Sequence, residues 1–110
     1  MGKVLCVSSG YDKKYYFNEE FNGLPEGVKQ EIQIMSVLFT EDIGGILTLE
    51  FDDEGNLLFT TASDEGDLLY DEIGSVLLIK RMKNEHFELL DALETYYKVF
   101  ILGLPAEDFV

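Results

Sequence analysis

The chain has 110 residues, with 22 Asp and Glu against 8 Lys and Arg, one Cys, one His and no Trp, for a formal charge of −14. At about 100–200 residues per domain, 1–110 is a single domain, and its 46% apolar residues supply a core and exclude a disordered acidic tail. A field this negative repels phosphate backbones and anionic headgroups, which excludes nucleic acid and membrane surfaces as partners.

The chain opens with a Val/Leu-rich run, Lys3 to Val7, that reaches turn residues at Ser8-Ser9-Gly10-Tyr11-Asp12 too soon to form a secretory leader. Lys13 to Asn18, with Tyr15-Tyr16-Phe17, completes a first hairpin. Asn22-Gly23-Leu24-Pro25 breaks the strand pattern, and Pro25 suits the first turn of a helix, where its missing N–H costs nothing. Val28, Ile32, Met35 and Phe39 then recur at helical spacing, so a helix is expected over Pro25 to Ile43, ended by a left-handed cap at Gly44-Gly45.

Leu47, Leu49 and Phe51 alternate with Ile46, Thr48 and Glu50, and Asp53-Glu54-Gly55 follows at once. That pattern predicts a second hairpin with a three-residue loop and Gly55 at the left-handed position. With Asp52 facing Asn56, Phe51 lies opposite Leu57 and Leu49 opposite Phe59 on the core face, while Thr48 meets Thr60 on the other. An acidic connection through Asp64, Glu65 and Asp67 comes next.

Residues 75–83 read as helix in preference to a fifth strand, because Ile73, Leu77, Ile79, Met82, His86, Leu89, Leu93, Tyr96 and Phe100 extend one apolar stripe, with a kink expected near Gly74 or Asn84. Asn84 to Leu102 is helical, stopped by Gly103 and Pro105, and 104–110 is expected to be a mobile tail. The order ββαββα predicts an α+β two-layer sandwich, an antiparallel sheet from two hairpins with the helices on one face. Its expected core takes Val4, Cys6 and Phe17 from the first hairpin and Ile32, Met35 and Phe39 from the first helix. Leu47, Leu49, Phe51, Leu57 and Phe59 follow from the second hairpin, then Ile73, Leu77, Leu90, Leu93 and Tyr97 from the C-terminal helix.

Chemistry is sparse. One Cys and one His cannot furnish a zinc or dithiol site. Asp52-Asp53-Glu54-Gly55-Asn56 is oxygen-rich, but from Asp52 the sixth position is Leu57 and the twelfth Ser63, where a calcium loop needs Gly and Glu. Gly44-Gly45 and Gly103 follow helices, whereas a phosphate loop needs glycines after a strand and before a helix, so no nucleotide motif is present and no cofactor or metal is expected. Cys6 lies in an apolar strand and His86 on an apolar stripe, which suits core residues better than a catalytic pair.

Charge and apolar distribution carry the functional reading. Between Lys29 and Lys80 there is no basic residue and there are 12 acids. Glu50, Asp52, Asp53, Glu54, Asp64, Glu65 and Asp67 therefore form a candidate negative pole for docking a basic protein partner. The apolar arc of the last helix covers about half its circumference, more than the roughly 100° one sheet occupies. Met82, Leu89, Tyr96 and Phe100 are the flank left for a homodimer. The first expectation is thus a non-enzymatic cytoplasmic interaction module. The alternative is a small-molecule binder or enzyme with a pocket between sheet and helices lined by Tyr15, Tyr16 and Tyr70.

Three segments carry a resemblance: Gly2-Lys3-Val4-Leu5-Cys6-Val7-Ser8-Ser9-Gly10-Tyr11, Asp71-Glu72-Ile73-Gly74-Ser75 and Tyr96-Tyr97-Lys98-Val99-Phe100. Nearly the whole chain resembles a functionally uncharacterised family of small acidic proteins from clostridial Firmicutes. The resemblance implies a bacterial cytosolic protein and assigns no catalytic or ligand residues.

Overall fold

In the computed structural model, which describes residues 2–109, the chain runs through β1 (Val4–Ser9), β2 (Lys14–Phe17), α1 (Glu26–Ile43), β3 (Ile46–Phe51), β4 (Leu57–Ala62), α2 (Glu72–Glu85) and α3 (Phe87–Tyr96). The four strands form one antiparallel sheet in the order β2-β1-β3-β4, so the two hairpins lie side by side with their first strands paired at the centre. The α+β class, both hairpins and the helical state of 75–83 agree with the sequence reading. The expected tail at 104–110 ends in a short 3₁₀ turn, Ala106–Phe109, and Val110 lies outside the described residues.

The β3–β4 register is the expected one: Phe51 opposite Leu57, Leu49 opposite Phe59 and Thr48 opposite Thr60. Gly55 adopts φ 89° in the loop, and the strands close with the Asp52 N–H donating to the Asn56 carbonyl at 2.9 Å. Alternation then decides the layers. Leu47, Leu49 and Phe51 are buried while Ile46, Thr48 and Glu50 are only half-covered, so the helices sit on one face of the sheet.

β1 departs from strict alternation. Val4 pairs with Glu50 but Cys6 pairs with Leu49, so two steps on β1 answer one on β3. This bulge turns Leu5 inward beside Cys6, both fully buried, and leaves Val4, expected in the core, half-covered. Two further core residues come from the β2–α1 connection: Phe21 and Leu24 are buried at 0% and 7% exposure. Phe21, Phe51 and Tyr97 form a ring cluster, with Phe21 and Phe51 centroids 5.6 Å apart.

α1 lays Ile32, Met35 and Phe39 on the sheet, together with Ser36 and Thr40. These two hydroxyls make a polar seam with β1: Ser8 Oγ and Thr40 Oγ1 share a hydrogen bond of 2.8 Å, and Ser36 Oγ lies 3.6 Å from Cys6 Sγ. At the end of α1, Gly44 has φ 86° with ψ −165°, which is not the left-handed cap expected of it, and the positive φ continues at Gly45.

The C-terminal helix is broken. Asp71 caps α2 by accepting from the Gly74 N–H at 2.8 Å, and α2 stops at His86, whose φ −110° and ψ 25° are not helical. The break falls two residues past Asn84, one of the two kink positions expected, and Phe87 restarts the chain as α3. It ends in a wide π-helical turn, Tyr97–Ile101, that sequence periodicity does not reveal. Glu94 of α3 accepts the Leu57 N–H at 2.8 Å and so caps the first exposed donor of edge strand β4.

Ile73 and Leu77, expected in the core, are 77% and 61% exposed. Apolar residues occur on every side of α2, and docking buries the Ser75, Leu78, Ile79, Met82 side instead.

Candidate functional site

The acidic residues of the second hairpin separate into two groups. Asp52 is a structural residue: Oδ1 accepts the N–H groups of Glu54 and Asn56, each at 2.9 Å, and Oδ2 accepts from the Asn56 amide at 3.1 Å. These donors, the Asn56 N–H foremost, hold its carboxyl below the usual range. Glu50 takes a hydrogen bond of 3.2 Å from the Thr60 hydroxyl on the uncovered face of the sheet. Asp53 and Glu54 are exposed at the loop tip.

Asp64, Glu65 and Asp67 lie beyond the other end of β4, a strand of six residues and so about 20 Å long. There Tyr11, from the β1–β2 turn, accepts the Asp64 N–H at 2.8 Å and donates its own proton to the Asp67 carboxylate. The acids expected to form one negative pole are therefore two patches in space, one at each end of the sheet. The antiparallel return of β4 sets that distance.

The apolar flank expected on the C-terminal helix is also divided. Met82 is buried at 5% exposure under α2, Leu89 and Tyr96 are half-buried against the core, and Phe100 is 72% exposed. Phe100 packs on Tyr96 with ring centroids 5.0 Å apart.

Of the three tyrosines proposed for a pocket, one lines a cleft. Between the first hairpin and α1 an open cleft of about 550 Å³ is bordered by Lys13, Lys14, Tyr15, Gln33 and Glu41. The Tyr15 hydroxyl is enclosed beside the Cys6 thiol with no hydrogen-bond partner of good geometry. Tyr16 points from the opposite face and is 54% exposed, whereas Tyr70 donates to Ser75 Oγ at 3.2 Å.

Cys6 and His86 are not brought together. Cys6 is set against Ser36, and burial pushes its thiol up to about 11, which suits a small core residue rather than a nucleophile. The His86 ring lies 3.1 Å from Glu31 Oε2 and ties the α2–α3 break to α1. Among the described residues no three His, Cys, Asp or Glu side chains are grouped to hold a metal ion, and no helix is long and apolar enough to cross a membrane.

The strongest surface feature is one that the sequence reading places in the core or passes over. Leu68 and Leu69 are 95% and 93% exposed in the turn before α2, and Ile73, Val76 and Leu77 continue outward on its first two turns. Ile34 and Leu38 stand on the outward side of α1, each more than half exposed. Scattered apolar residues are normal on a monomer; an adjacent series with this exposure is not. One sequence signal is present: Leu68-Leu69 sits between Asp67 and Tyr70-Asp71, outside every periodic run.

None of these features carries a complete catalytic set, and the comparison with other proteins is as silent on mechanism as the geometry. No curated protein and no solved structure matches the chain. A family model does, over residues 2–105, and the chain accordingly belongs to DUF6145, a family of unknown function.

Proposed function

We propose that this protein is a non-enzymatic interaction module that docks a protein partner through the apolar surface at the start of α2. The observation that carries the reading is the exposure of Leu68, Leu69, Ile73, Val76 and Leu77 in one short segment. Burying such side chains contributes about 1.5–3 kcal/mol each, which makes an apolar contact the main source of affinity here. The acidic patches at the two ends of the sheet then act on association rate and partner choice, favouring a basic rim around the partner's apolar contact. The buried Cys6 fits a reducing, cytoplasmic setting, and the resemblance given in the sequence analysis would make that setting bacterial.

A pull-down at low and high salt with wild type and Leu69→Asp/Leu77→Asp tests the proposal. An apolar partner stays bound to wild type at high salt and is lost from the variant at either salt. A partner lost at high salt but unaffected by the substitutions would transfer docking to the acidic patches.

A second reading rests on the cleft beside Tyr15, whose volume is within the range of small-molecule sites. Lys13 and Lys14 at its border favour a small anionic or polar ligand. Thermal-shift measurements against small carboxylates and phosphate esters test it: a ligand that raises the midpoint of wild type but not of Lys14→Ala supports the site, and a flat response across the panel removes it.

A further inference from the structure

α1 and α2 run antiparallel: Glu31 near the start of α1 meets His86 past the end of α2, and Asp42 and Ile43 border one groove with Asp71 and Gly74 at the start of α2. The two helices form a layer whose inner side covers the sheet. Its outer side carries Ile73, Val76 and Leu77 from α2 and Ile34 and Leu38 from α1. An outer helical layer is normally charged or polar, as the inner side alone needs apolar residues.

The charges of the layer are divided between its halves. α1 has Glu26, Glu31, Glu41 and Asp42 against Lys29 alone, whereas α2 has Lys80, Arg81 and Lys83 against Glu72 and Glu85. α2 is thus a net-positive helix in a chain of charge −14. Arg81 pairs with Glu85 at 3.4 Å on the open surface and Lys83 lies 5.4 Å from the centroid of the Phe59 ring.

We infer, resting on the interaction reading above, that the occupant of this apolar layer is a second copy of the chain, docked about a two-fold axis with α2 of each protomer against α1 of the other. Three observations select this occupant. The apolar residues occur on both helices, so a self-complementary patch meets its own image, as a two-fold contact requires. The cross arrangement sets the basic α2 against the acidic α1, while a like-on-like arrangement opposes four acids to four acids. Both acidic patches of the second hairpin and its flank lie on strand ends and their loops rather than on the outer side of the helices, which lessens the repulsion between two such negative chains.

Sedimentation equilibrium or light scattering of the full chain over about 1–100 μM, the usual span for a weak homodimer, reads the mass directly. Wild type is expected to reach the dimer mass in that range. Leu77→Glu, at an exposed position, should hold the monomer mass with an unchanged circular dichroism spectrum, and Lys80→Glu/Arg81→Glu should weaken association at least tenfold. Mixing that double variant with Glu41→Lys/Asp42→Lys should restore a heterodimer between the two. A wild-type monomer at the highest concentration overturns the inference, as does a dimer indifferent to Leu77→Glu but dissociated by Phe100→Glu. A monomeric wild type that still holds a different protein, and loses it on Leu69→Asp/Leu77→Asp, refutes self-association and leaves the interaction reading standing. Loss of both refutes both.

Discussion

The ring of Tyr97 lies over that of Phe51 with centroids 4.2 Å apart and planes within 12° of each other. This stack fastens the π-helical turn at the end of α3 to the last residue of β3, and Phe21 joins it from the β2–α1 connection. Three remote pieces of chain therefore share one set of buried aromatic contacts. Tyr97→Ala is expected to cost about 3–5 kcal/mol by urea unfolding, while Tyr97→Phe, which keeps the stack, costs under about 1.5 kcal/mol. Equal losses for the two variants would show that the hydroxyl, not the ring, matters there.

Asp52 organises the β3–β4 turn through three accepted hydrogen bonds, and its carboxyl titrates below the ordinary value for that reason. Because the folded pKa is the lower one, the stabilisation is complete above the unfolded value near 4 and is lost as pH falls through the folded value. Asp52→Ala should reduce stability at neutral pH and flatten its decline below about pH 4 relative to wild type. Denaturant midpoints at pH 7 and pH 3 check this; an equal acid-induced drop in both proteins would remove Asp52 from the account.

Gly45 has φ 69°, and a Cβ placed on it would lie 2.5 Å from Tyr70 Cε1 and 2.7 Å from the Ala62 carbonyl oxygen. Neither the backbone angle nor the Ala62 main chain can yield cheaply. Gly45→Ala is expected to lower stability by about 1–3 kcal/mol, measured by thermal or urea unfolding, where an alanine elsewhere in a loop would be neutral or stabilising.

Cys6 is fully buried, and its thiol is raised from 9.0 to about 11. A folded pKa above the unfolded one stabilises fully below about pH 9 and is lost as pH rises toward 11. Stability should fall over that interval more steeply in wild type than in Cys6→Ala. At pH 8 an aromatic disulfide reagent should modify the thiol only as fast as the protein unfolds, and labelling at the rate of a free thiol would contradict its burial.

Much of this architecture is local and was legible. The alternation of Leu47, Leu49 and Phe51 with the loop Asp53-Glu54-Gly55 fixes the second hairpin and its register, because side chains repeat every two residues and the turn geometry admits one pairing. α1 follows for the same kind of reason, its apolar residues falling on a single face between Pro25 and two glycines.

Features that depend on remote contacts were less legible. The bulge that exchanges Val4 for Leu5 depends on how β1 meets β3, whose Glu50 and Leu49 are remote in sequence from Val4 and Cys6, so local pattern does not register it. Phe21 and Leu24 lie in a connection, where periodicity is silent, and the rings of Tyr97 and Phe51 that close over Phe21 come from remote parts of the chain. The acids of the second hairpin and its flank share a stretch without basic residues, yet they make two patches in space, since β4 lies between the two groups and separates them by its own length.

By itself the sequence determined charge, class and strand pairing within each hairpin, because each follows from composition or from neighbours a few residues apart. Only the tertiary structure decided which side of α2 is covered. Its first turns carry Ile73, Val76, Leu77, Leu78 and Ile79 nearly all round, so helical period alone gives no preferred face. Docking against α1 and the sheet buries Ser75 and Met82 and leaves Ile73 and Leu77 outside, and the candidate interaction surface exists because of that choice of face.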